Sequence, residues 1–218
     1  MVVRTRAIRE DTGAIDEACL LTYYGCTPAD WEEASSDHRF VEYIDGRLIV
    51  HSPVSLRHAR LFGFLHELLQ RFVRGQQPGE VLAGPFAMEL SIDRKFEPDL
   101  IFVSAARQAN LTPDRLLGPA DLAIEIASPS TRSYDRGEKR ECYRVGGVRE
   151  YWMIDGIQRL MTLDRPAGVE VAATSAGIVR SATCPGFWLR AEWCWQEPPP
   201  SVDDCLAEIL SGDGQSGS

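Results

Sequence analysis

Two carboxylates in apolar, strand-like segments are the residues of this sequence that most directly indicate chemistry. Asp99 precedes the apolar run 100–103, and Glu125 is the one polar interruption of the run 122–127. A carboxylate that is buried in a strand costs free energy unless a cation or hydrogen-bond donors compensate it. Mg²⁺ is typically held by one or two carboxylates together with phosphate and water. Asp99 and Glu125 therefore predict a Mg²⁺ or Mn²⁺ site, although Asp99 could also simply cap a turn.

A lysine on the following segment supplies a cation for the same chemistry. Asp135, Lys139 and Tyr143 are spaced i, i+4 and i+8, so they share one face of a predicted helix. An ammonium group there can stand next to an attacking water or the charge that develops on phosphoryl oxygens. The pattern predicts metal-assisted hydrolysis of a phosphodiester, with Asp99, Glu125 and Lys139 as the catalytic residues.

Five further residues are candidates for supporting roles. Ser128, Asp135 and Tyr143 could orient a substrate or cation, but each also has an ordinary interpretation as a turn, capping or packing residue. His58 lies on the apolar stripe of a predicted helix, where a hydrogen-bonded residue at the core edge is the commoner role and a position beside an active site is the alternative. Glu42 lies inside a short predicted strand.

The elements that carry the catalytic candidates are predicted from local signals in residues 121–155. A buried strand ends at Ser128-Pro129-Ser130, because proline cannot continue it. A helix is predicted from Asp135 to Gly146-Gly147, and a second apolar strand covers 150–154. A strand, helix, strand unit of this kind has a right-handed crossover and predicts an α/β (α+β) domain.

Upstream signals predict the supporting elements. Thr27-Pro28-Ala29-Asp30 is a capping box that begins a short helix, and Ser55 begins an amphipathic helix that runs to Arg74. Asp45-Gly46 joins two short strands in a hairpin. Further strands are predicted at 81–83, 86–92, 100–103, 160–163, 169–172 and 178–181, with a polar turn around Asp93-Arg94-Lys95.

Length and composition suit one globular domain. The 218 residues are 44% hydrophobic and 25% charged, within the ordinary globular range. Residues 1–26 are predicted to form a leader segment, 27–196 the domain, and 197–218 a largely disordered tail with a short helix at 202–210. No segment approaches a membrane span or a signal peptide, and the six cysteines lack zinc-type spacing, so a cytoplasmic protein with reduced cysteines is expected.

The net charge bears on possible partners. A formal charge of -9 gives no general affinity for nucleic acid, because such binding depends on Lys and Arg neutralising phosphates. Residues 132–149 reverse this sign, with six basic residues against three acidic ones. This segment is either a local basic patch or a solvated helix face.

Several motifs together resemble one protein family. They are Glu-Ile-Ala-Ser-Pro-Ser-Thr at 125–131, Tyr134-Asp135, Gly137-Glu138-Lys139, Tyr143, Gly147-Val148, Glu150-Tyr151-Trp152, Glu97-Pro98-Asp99-Leu100, and Tyr43-Ile44-Asp45-Gly46 with His58. Over roughly residues 27–195 the sequence resembles the Uma2 family of the PD-(D/E)xK nuclease superfamily. The resemblance implies a restriction-endonuclease-like mixed β-sheet flanked by helices, with Asp99 and Glu125 as metal-binding acids and Glu42 as a third acid near the site.

The sequence departs from the superfamily pattern at one position. The superfamily has lysine two residues after the second acid, where this chain has Ala127. Uma2 sequences resemble this chain in that respect. Lys139 on the next helix is the natural substitute, since a side chain can reach the same point from a neighbouring element.

These observations predict a Mg²⁺-dependent endonuclease that hydrolyses phosphodiester bonds of DNA. Two alternatives remain: a catalytically weak nucleic-acid-binding or interaction module with the same fold, and a metal-dependent hydrolase of a small phosphorylated substrate. A closed pocket rather than a long basic groove would favour the second alternative. Cutting both strands of a duplex is easiest for a two-fold assembly, so a homodimer is a further hypothesis.

Overall fold

The computed structural model describes residues 21–36, 40–51, 53–174 and 176–212. Within them the α-helices are α1 (Pro28–Ser36), α2 (Leu56–Gln76), α3 (Arg132–Tyr134), α4 (Arg140–Gly146) and α5 (Val202–Ser211). The strands are β1 (Leu21–Tyr24), β2 (Val41–Ile44), β3 (Arg47–Val50), β4 (Gly79–Ala83), β5 (Ala87–Ser91), β6 (Arg94–Phe96), β7 (Leu100–Ser104), β8 (Arg115–Leu117), β9 (Leu122–Ile126), β10 (Glu150–Asp155), β11 (Leu160–Arg165), β12 (Gly168–Thr174), β13 (Ile178–Arg180) and β14 (Trp188–Arg190). No helix in this part of the chain is long and apolar enough to cross a membrane.

Most strands belong to two six-stranded sheets. The first sheet has the order β1-β3-β2-β6-β5-β8 and the second sheet the order β12-β11-β10-β9-β7-β4. Both are mixed, because β5 and β8 are parallel in the first and β9 and β10 are parallel in the second, while their other pairs are antiparallel. The predicted α+β class with mixed β-structure flanked by helices is confirmed. The strand expected at 178–181 does not extend the second sheet, since β13 pairs with β14 in a separate ribbon.

Strand β9 is covered on both faces, as its apolar run predicts. Ile124 and Ile126 share a core cluster with the buried residues of α2. Ala123 and Ala127 share a second cluster with the first sheet and α4. Because successive strand residues point to opposite faces, Glu125 lies on the side of the first sheet and α4. This placement directs its carboxylate toward the helical segment that carries the candidate lysine.

The predicted caps and hairpin turn are present. Ser55 caps α2, and its Oγ accepts a hydrogen bond from the His58 amide at 3.2 Å. The helix ends at Gln76, two residues beyond the predicted Arg74. Asp45 and Gly46 have φ angles of 46° and 87°, the positive values that a two-residue hairpin turn requires. These local signals fix α2 and the β2–β3 hairpin, which both border the candidate site.

The helical segment after β9 begins earlier than predicted and contains a π-helical turn. Its first residue is Arg132 rather than Asp135, because the Arg132 amide already donates to the Ser128 carbonyl at 2.9 Å. A π-turn at Asp135–Lys139 separates α3 from α4. Such turns are rare in proteins, and those that occur often lie at functional sites. This one carries two of the candidate residues.

Gly147 ends α4 in the left-handed conformation, with φ 88°. We expect Gly147→Ala to lower the free energy of unfolding by about 1 kcal/mol, because a Cβ is unfavourable in that conformation. Pro119 Cγ would lie 3.6 Å from the added Cβ, an ordinary contact, so backbone strain is the cause. Gly63→Ala is the matched control, since Gly63 is exposed within α2 and its Cβ would meet no atom within 4 Å. Urea denaturation should show that Gly63→Ala raises the free energy of unfolding, because alanine favours the helix more than glycine does. Equal decreases in the two variants would contradict backbone strain as the cause at Gly147.

One prediction about local structure is corrected. Arg94–Phe96, expected to be a polar turn around Asp93-Arg94-Lys95, forms β6. Lys95 is compatible with a buried strand because its ammonium lies 2.9 Å from the carboxylate of Glu89 and 5.3 Å from the ring centre of Trp31. The polar composition of this segment therefore reflects an internal ion pair and not a solvated turn.

The two predicted terminal segments also need correction where they are described. The helix expected at 202–210 is present as α5, and Cys205 and Ile209 are buried in the core cluster that contains α2, so residues 202–211 are not disordered. At the other end, β1 pairs with β3 and so belongs to the first sheet. The remainder of the predicted leader, 1–20, and residues 213–218 lie outside the described residues. The division into leader, domain and tail otherwise stays a prediction.

Candidate active site

A cavity of about 780 Å³ brings most of the candidate residues together. Its wall is formed by the start of α2, the segment around β2 and β3, and the turn after β9. Of the residues singled out in the sequence, those that line it are Asp99, Glu125, Lys139, His58, Ser128 and Asp135. The other lining residues are Phe40, His51, Pro53, Val54, Ser55, Ala59, Phe62, Gly84, Ile126, Pro129, Ser130, Thr131 and Ile157.

Asp99 and Glu125 meet because β7 and β9 are antiparallel neighbours. Leu100 pairs with Ile124, so by the same register Asp99 lies opposite Glu125. Asp99 is held by two groups: its Oδ2 accepts from the Ile126 amide at 2.7 Å, and its Oδ1 lies 3.1 Å from His58 Nε2. The two predicted metal-binding acids therefore share one site, and Asp99 is fixed by backbone as well as side chain.

The structure places His58 beside Asp99 at the edge of the core. It lies on α2, is mostly buried, and also lines the cavity. Burial alone would lower the pKa of His58, but its hydrogen bond to Asp99 and the charge of that carboxylate outweigh burial and raise it. A histidine in this environment holds the Asp99 carboxylate in position.

Lys139 is buried in contact with two carboxylates. Its Nζ lies 2.7 Å from Glu125 Oε1 and 2.7 Å from Glu42 Oε1, and its side chain is 1% exposed. Burial opposes its charge, but the carboxylates of Glu125, Glu42 and Asp135 outweigh burial and raise the pKa of Lys139. Lys139 therefore stays protonated and serves as a fixed cation, not as a proton acceptor.

Glu125 is surrounded by more negative than positive charge. Its Oε1 accepts from the Tyr143 hydroxyl at 2.8 Å as well as from Lys139. Burial is the largest influence and raises the pKa of Glu125, Lys139 opposes this, and the carboxylates of Asp99 and Asp135 raise it further. An added cation beside Glu125 would therefore be favoured electrostatically.

Glu42 supports the site from behind the cavity wall. It is fully buried, and it accepts hydrogen bonds from the Tyr134 hydroxyl at 2.6 Å and the Glu97 amide at 3.1 Å. His51 Nε2 lies 3.3 Å from its Oε2. These contacts, together with the ion pair to Lys139, occupy both carboxylate oxygens of Glu42. Glu42 therefore holds the lysine in place. It does not line the cavity. Sequence reasoning missed His51, and it quoted Tyr134 without assigning it a role.

The remaining candidates shape the turn after β9. Ser128 Oγ lies 2.8 Å from Ser130 Oγ and 3.1 Å from Thr131 Oγ1, so these hydroxyls order the turn at the cavity wall. Asp135 is 2% exposed, and burial raises its pKa to about 6. At neutral pH Asp135 is mostly ionised and adds a further negative charge to the site.

Glu97 makes the stability of the fold depend on pH. Burial, and then the neighbouring Glu42 carboxylate, raise the pKa of Glu97 to about 8 from 4.5. The folded protein thus keeps a proton that the unfolded chain loses, so this contribution to stability is fully present below about pH 4.5 and is lost as pH rises through about 8. We expect urea midpoints to fall between pH 6 and 9 in the wild type, and to fall much less in Glu97→Gln. Urea midpoints that fall equally with pH in the two proteins would contradict the assignment of this pH dependence to Glu97.

A divalent cation matches the donors of this site. Asp99 and Glu125 offer carboxylate oxygens at the cavity, and the surplus of negative charge favours a cation there. Among the described residues, no three His, Cys, Asp or Glu side chains are grouped closely enough to form a complete metal cage. A cation at this place would have two protein carboxylates and would keep water or phosphate in its other positions. That pattern is usual for Mg²⁺, whereas structural zinc sites use four N or S ligands.

Comparison with known proteins agrees with the fold and identifies the family. A solved structure from Anabaena variabilis, described as "a putative nuclease belonging to DUF820", is similar with a TM-score of 0.65 and 17% sequence identity, over 84% of this chain and 99% of that chain. The fold is thus one that a nuclease-like protein adopts. The family model described as "Putative restriction endonuclease" matches residues 29–192, and the chain belongs to this family, Uma2. No curated protein matches the chain.

Proposed function

We propose that this protein is a Mg²⁺-dependent nuclease that hydrolyses phosphodiester bonds of DNA, and that Mn²⁺ can replace Mg²⁺. The observation that carries the proposal is the meeting of Asp99 and Glu125 on neighbouring strands, with Lys139 Nζ 2.7 Å from Glu125, at the wall of a cavity. The family description, which names restriction endonucleases, supports nucleic acid as the substrate.

In this mechanism each residue has a distinct task. Asp99 and Glu125 would hold the cation, which when bound polarises the phosphoryl group and lowers the pKa of a coordinated water. The Ile126 amide and His58 keep the Asp99 carboxylate oriented. Lys139 neutralises part of the charge of Glu125 and holds it in place, as does the Tyr143 hydroxyl. The site is thereby fixed before the substrate arrives, which avoids reorganisation during the reaction.

The cavity also favours a second candidate function, a hydrolase of a small phosphorylated molecule. Among the described residues that line it, Lys139 is the only lysine or arginine, and that lysine is already paired with two carboxylates. A long basic groove for a duplex is therefore not formed by these residues. The third possibility, a catalytically weak binding module, is less well supported, because it leaves the assembly of Asp99, Glu125 and Lys139 unexplained.

The test is hydrolysis by the purified full chain in the presence of Mg²⁺, Mn²⁺ or a chelator. Plasmid DNA, single-stranded DNA, RNA and a simple aryl phosphodiester serve as parallel substrates. The proposal requires cleavage of DNA that depends on the cation. Cleavage of the aryl ester alone would favour the small-substrate hydrolase, and cleavage that persists in chelator would contradict the metal-dependent mechanism. The homodimer stays a prediction, which light scattering tests.

A further inference from the structure

The depth of the site restricts how a nucleic acid can reach it. The side chains of Asp99 and Glu125 are only 13% and 6% exposed, and both line the cavity. A DNA duplex is stiff over about 150 base pairs, and its nucleotides are held by pairing and stacking. Enzymes that act on a base inside a pocket use single strands or move one nucleotide out of the stack. A flexible single strand can likewise place a phosphodiester and its base in a recessed site together, whereas a regular duplex keeps its bases paired and stacked.

The side chains of the cavity wall are suited to contact bases and not a row of backbone phosphates. Binding along a duplex backbone depends on several Lys or Arg contacts, and Lys139 is the only such residue in the described wall. The wall instead has two aromatic rings, Phe40 and Phe62, and the exposed apolar side chains Val54 and Ile157. Aromatic and apolar surfaces of this kind bind unpaired bases by stacking, without a sequence preference.

We infer that the cavity binds one unpaired nucleotide, with its base against the apolar wall that Phe62 and Phe40 provide and its phosphate at Asp99 and Glu125. The substrate class is then single-stranded nucleic acid, and this inference rests on the proposed nuclease function. The reaction is hydrolysis: an oxygen of water bonds to phosphorus, the bond from phosphorus to one sugar oxygen breaks, and that oxygen receives a proton. No oxidant or further reactant is needed.

The size of the cavity agrees with this occupant. A volume of about 780 Å³ lies within the range of pockets that enclose ligands of nucleotide size, roughly 300–1,000 Å³. Ser128, Ser130 and Thr131 add polar side chains to the lining, and their hydroxyls hydrogen-bond to one another. The cavity thus combines a carboxylate end for the cation and phosphate with apolar surface for the base.

The test compares Phe62→Ala with Phe62→Tyr on two substrates, oligothymidylate and an oligomer of the same length that lacks bases. We expect Phe62→Ala to lower kcat/KM on oligothymidylate by roughly 5- to 100-fold, the loss that accompanies removal of a stacked base, while Phe62→Tyr keeps most of it. On the abasic oligomer both variants should match the wild type. An equal loss on both substrates would show that Phe62 is structural and would overturn the inference.

A second pair of variants changes exposed side chains, so that loss of binding cannot be caused by unfolding. Val54→Trp fills part of the cavity from a side chain that is 60% exposed, and Leu56→Trp introduces the same side chain at a nearby residue that is 66% exposed and does not line it. Only Val54→Trp should weaken binding of a fluorescent single strand, measured by anisotropy. Binding unchanged by Val54→Trp would overturn the inference.

The outcomes separate this inference from the proposed function. Cleavage of duplex DNA as fast as single strands, with no effect of Phe62→Ala, would overturn the inference and leave the nuclease function intact. Binding of single strands that is lost in Val54→Trp, without hydrolysis under any condition, would uphold the cavity as a nucleotide site and overturn the nuclease function. Absence of both binding and hydrolysis would overturn both.

Discussion

Replacing Lys139 by alanine is expected to lower the free energy of unfolding by about 3–5 kcal/mol, the cost of leaving a buried charge without its partner. The Lys139 ammonium is in contact with both Glu42 and Glu125, and all three side chains are almost completely buried. Without it, Glu42 keeps its hydrogen bonds, but Glu125 keeps only the Tyr143 hydroxyl among the donors to its Oε1. Two carboxylates then lie in the interior with no cation between them.

Urea denaturation at pH 7 measures this effect. Arg144→Ala is the control, because Arg144 and its partner Glu141 are exposed and their ion pair should contribute little. The double variant Lys139→Met with Glu125→Gln should recover part of the stability that Lys139→Met alone loses, since it removes one of the two uncompensated charges. A loss below 1 kcal/mol for Lys139→Ala, or no recovery in the double variant, would show that the ion pairs are not what stabilises this region.

The second large effect concerns activity. Asp99→Asn and Glu125→Gln should each reduce metal-dependent hydrolysis by about 10²- to 10³-fold, because the loss of a cation ligand removes several kcal/mol of transition-state stabilisation. Each change keeps the shape of the side chain and removes its charge. In Glu125→Gln the Lys139 ammonium keeps its contact with Glu42, so both variants should still fold. Circular dichroism should match that of the wild type, which separates the loss of activity from unfolding.

A matched variant controls for the removal of any buried acid. Glu97→Gln changes a buried carboxyl group that does not line the cavity, and its hydrolytic rate should remain within a factor of about two or three of the wild type. A comparable loss of activity in Glu97→Gln and Glu125→Gln would assign the effect to general disturbance of the core. Full activity in both Asp99→Asn and Glu125→Gln would remove the basis for the metal site.

The sequence was sufficient for the parts of the site that depend on local patterns. A five-residue apolar strand with a single acid places Glu125, and spacing of four residues predicts that Lys139 and Tyr143 approach the same point, although the π-turn at Asp135–Lys139 was not predicted. The Glu125 contacts of Lys139 and Tyr143 agree with that spacing. Lys139 also reaches Glu125 from the next element, as the absence of a lysine at position 127 led us to expect, and its catalytic role stays a prediction.

The parts that could not be predicted depend on contacts between distant segments. Glu42 meets Lys139 and Tyr134 across more than 90 residues, because the first sheet packs against the second sheet and α4. Local sequence contains no signal for that packing, so the anchoring role of Glu42 was not foreseen. The same holds for Lys95, whose charge predicted a turn, although its contact with Glu89 allows it to lie in a buried strand.

The measurement that tests the central claim most directly is titration of the full chain with Mn²⁺, followed by electron paramagnetic resonance, because it does not depend on knowing the substrate. The wild type and Glu97→Gln should bind one Mn²⁺ per chain, and Mg²⁺ should compete for it. Asp99→Asn and Glu125→Gln should each lose most of that binding while remaining folded. Equal binding in all four proteins would place the cation elsewhere, and no binding by the folded wild type, with or without an added oligonucleotide, would contradict a metal-dependent site formed by Asp99 and Glu125.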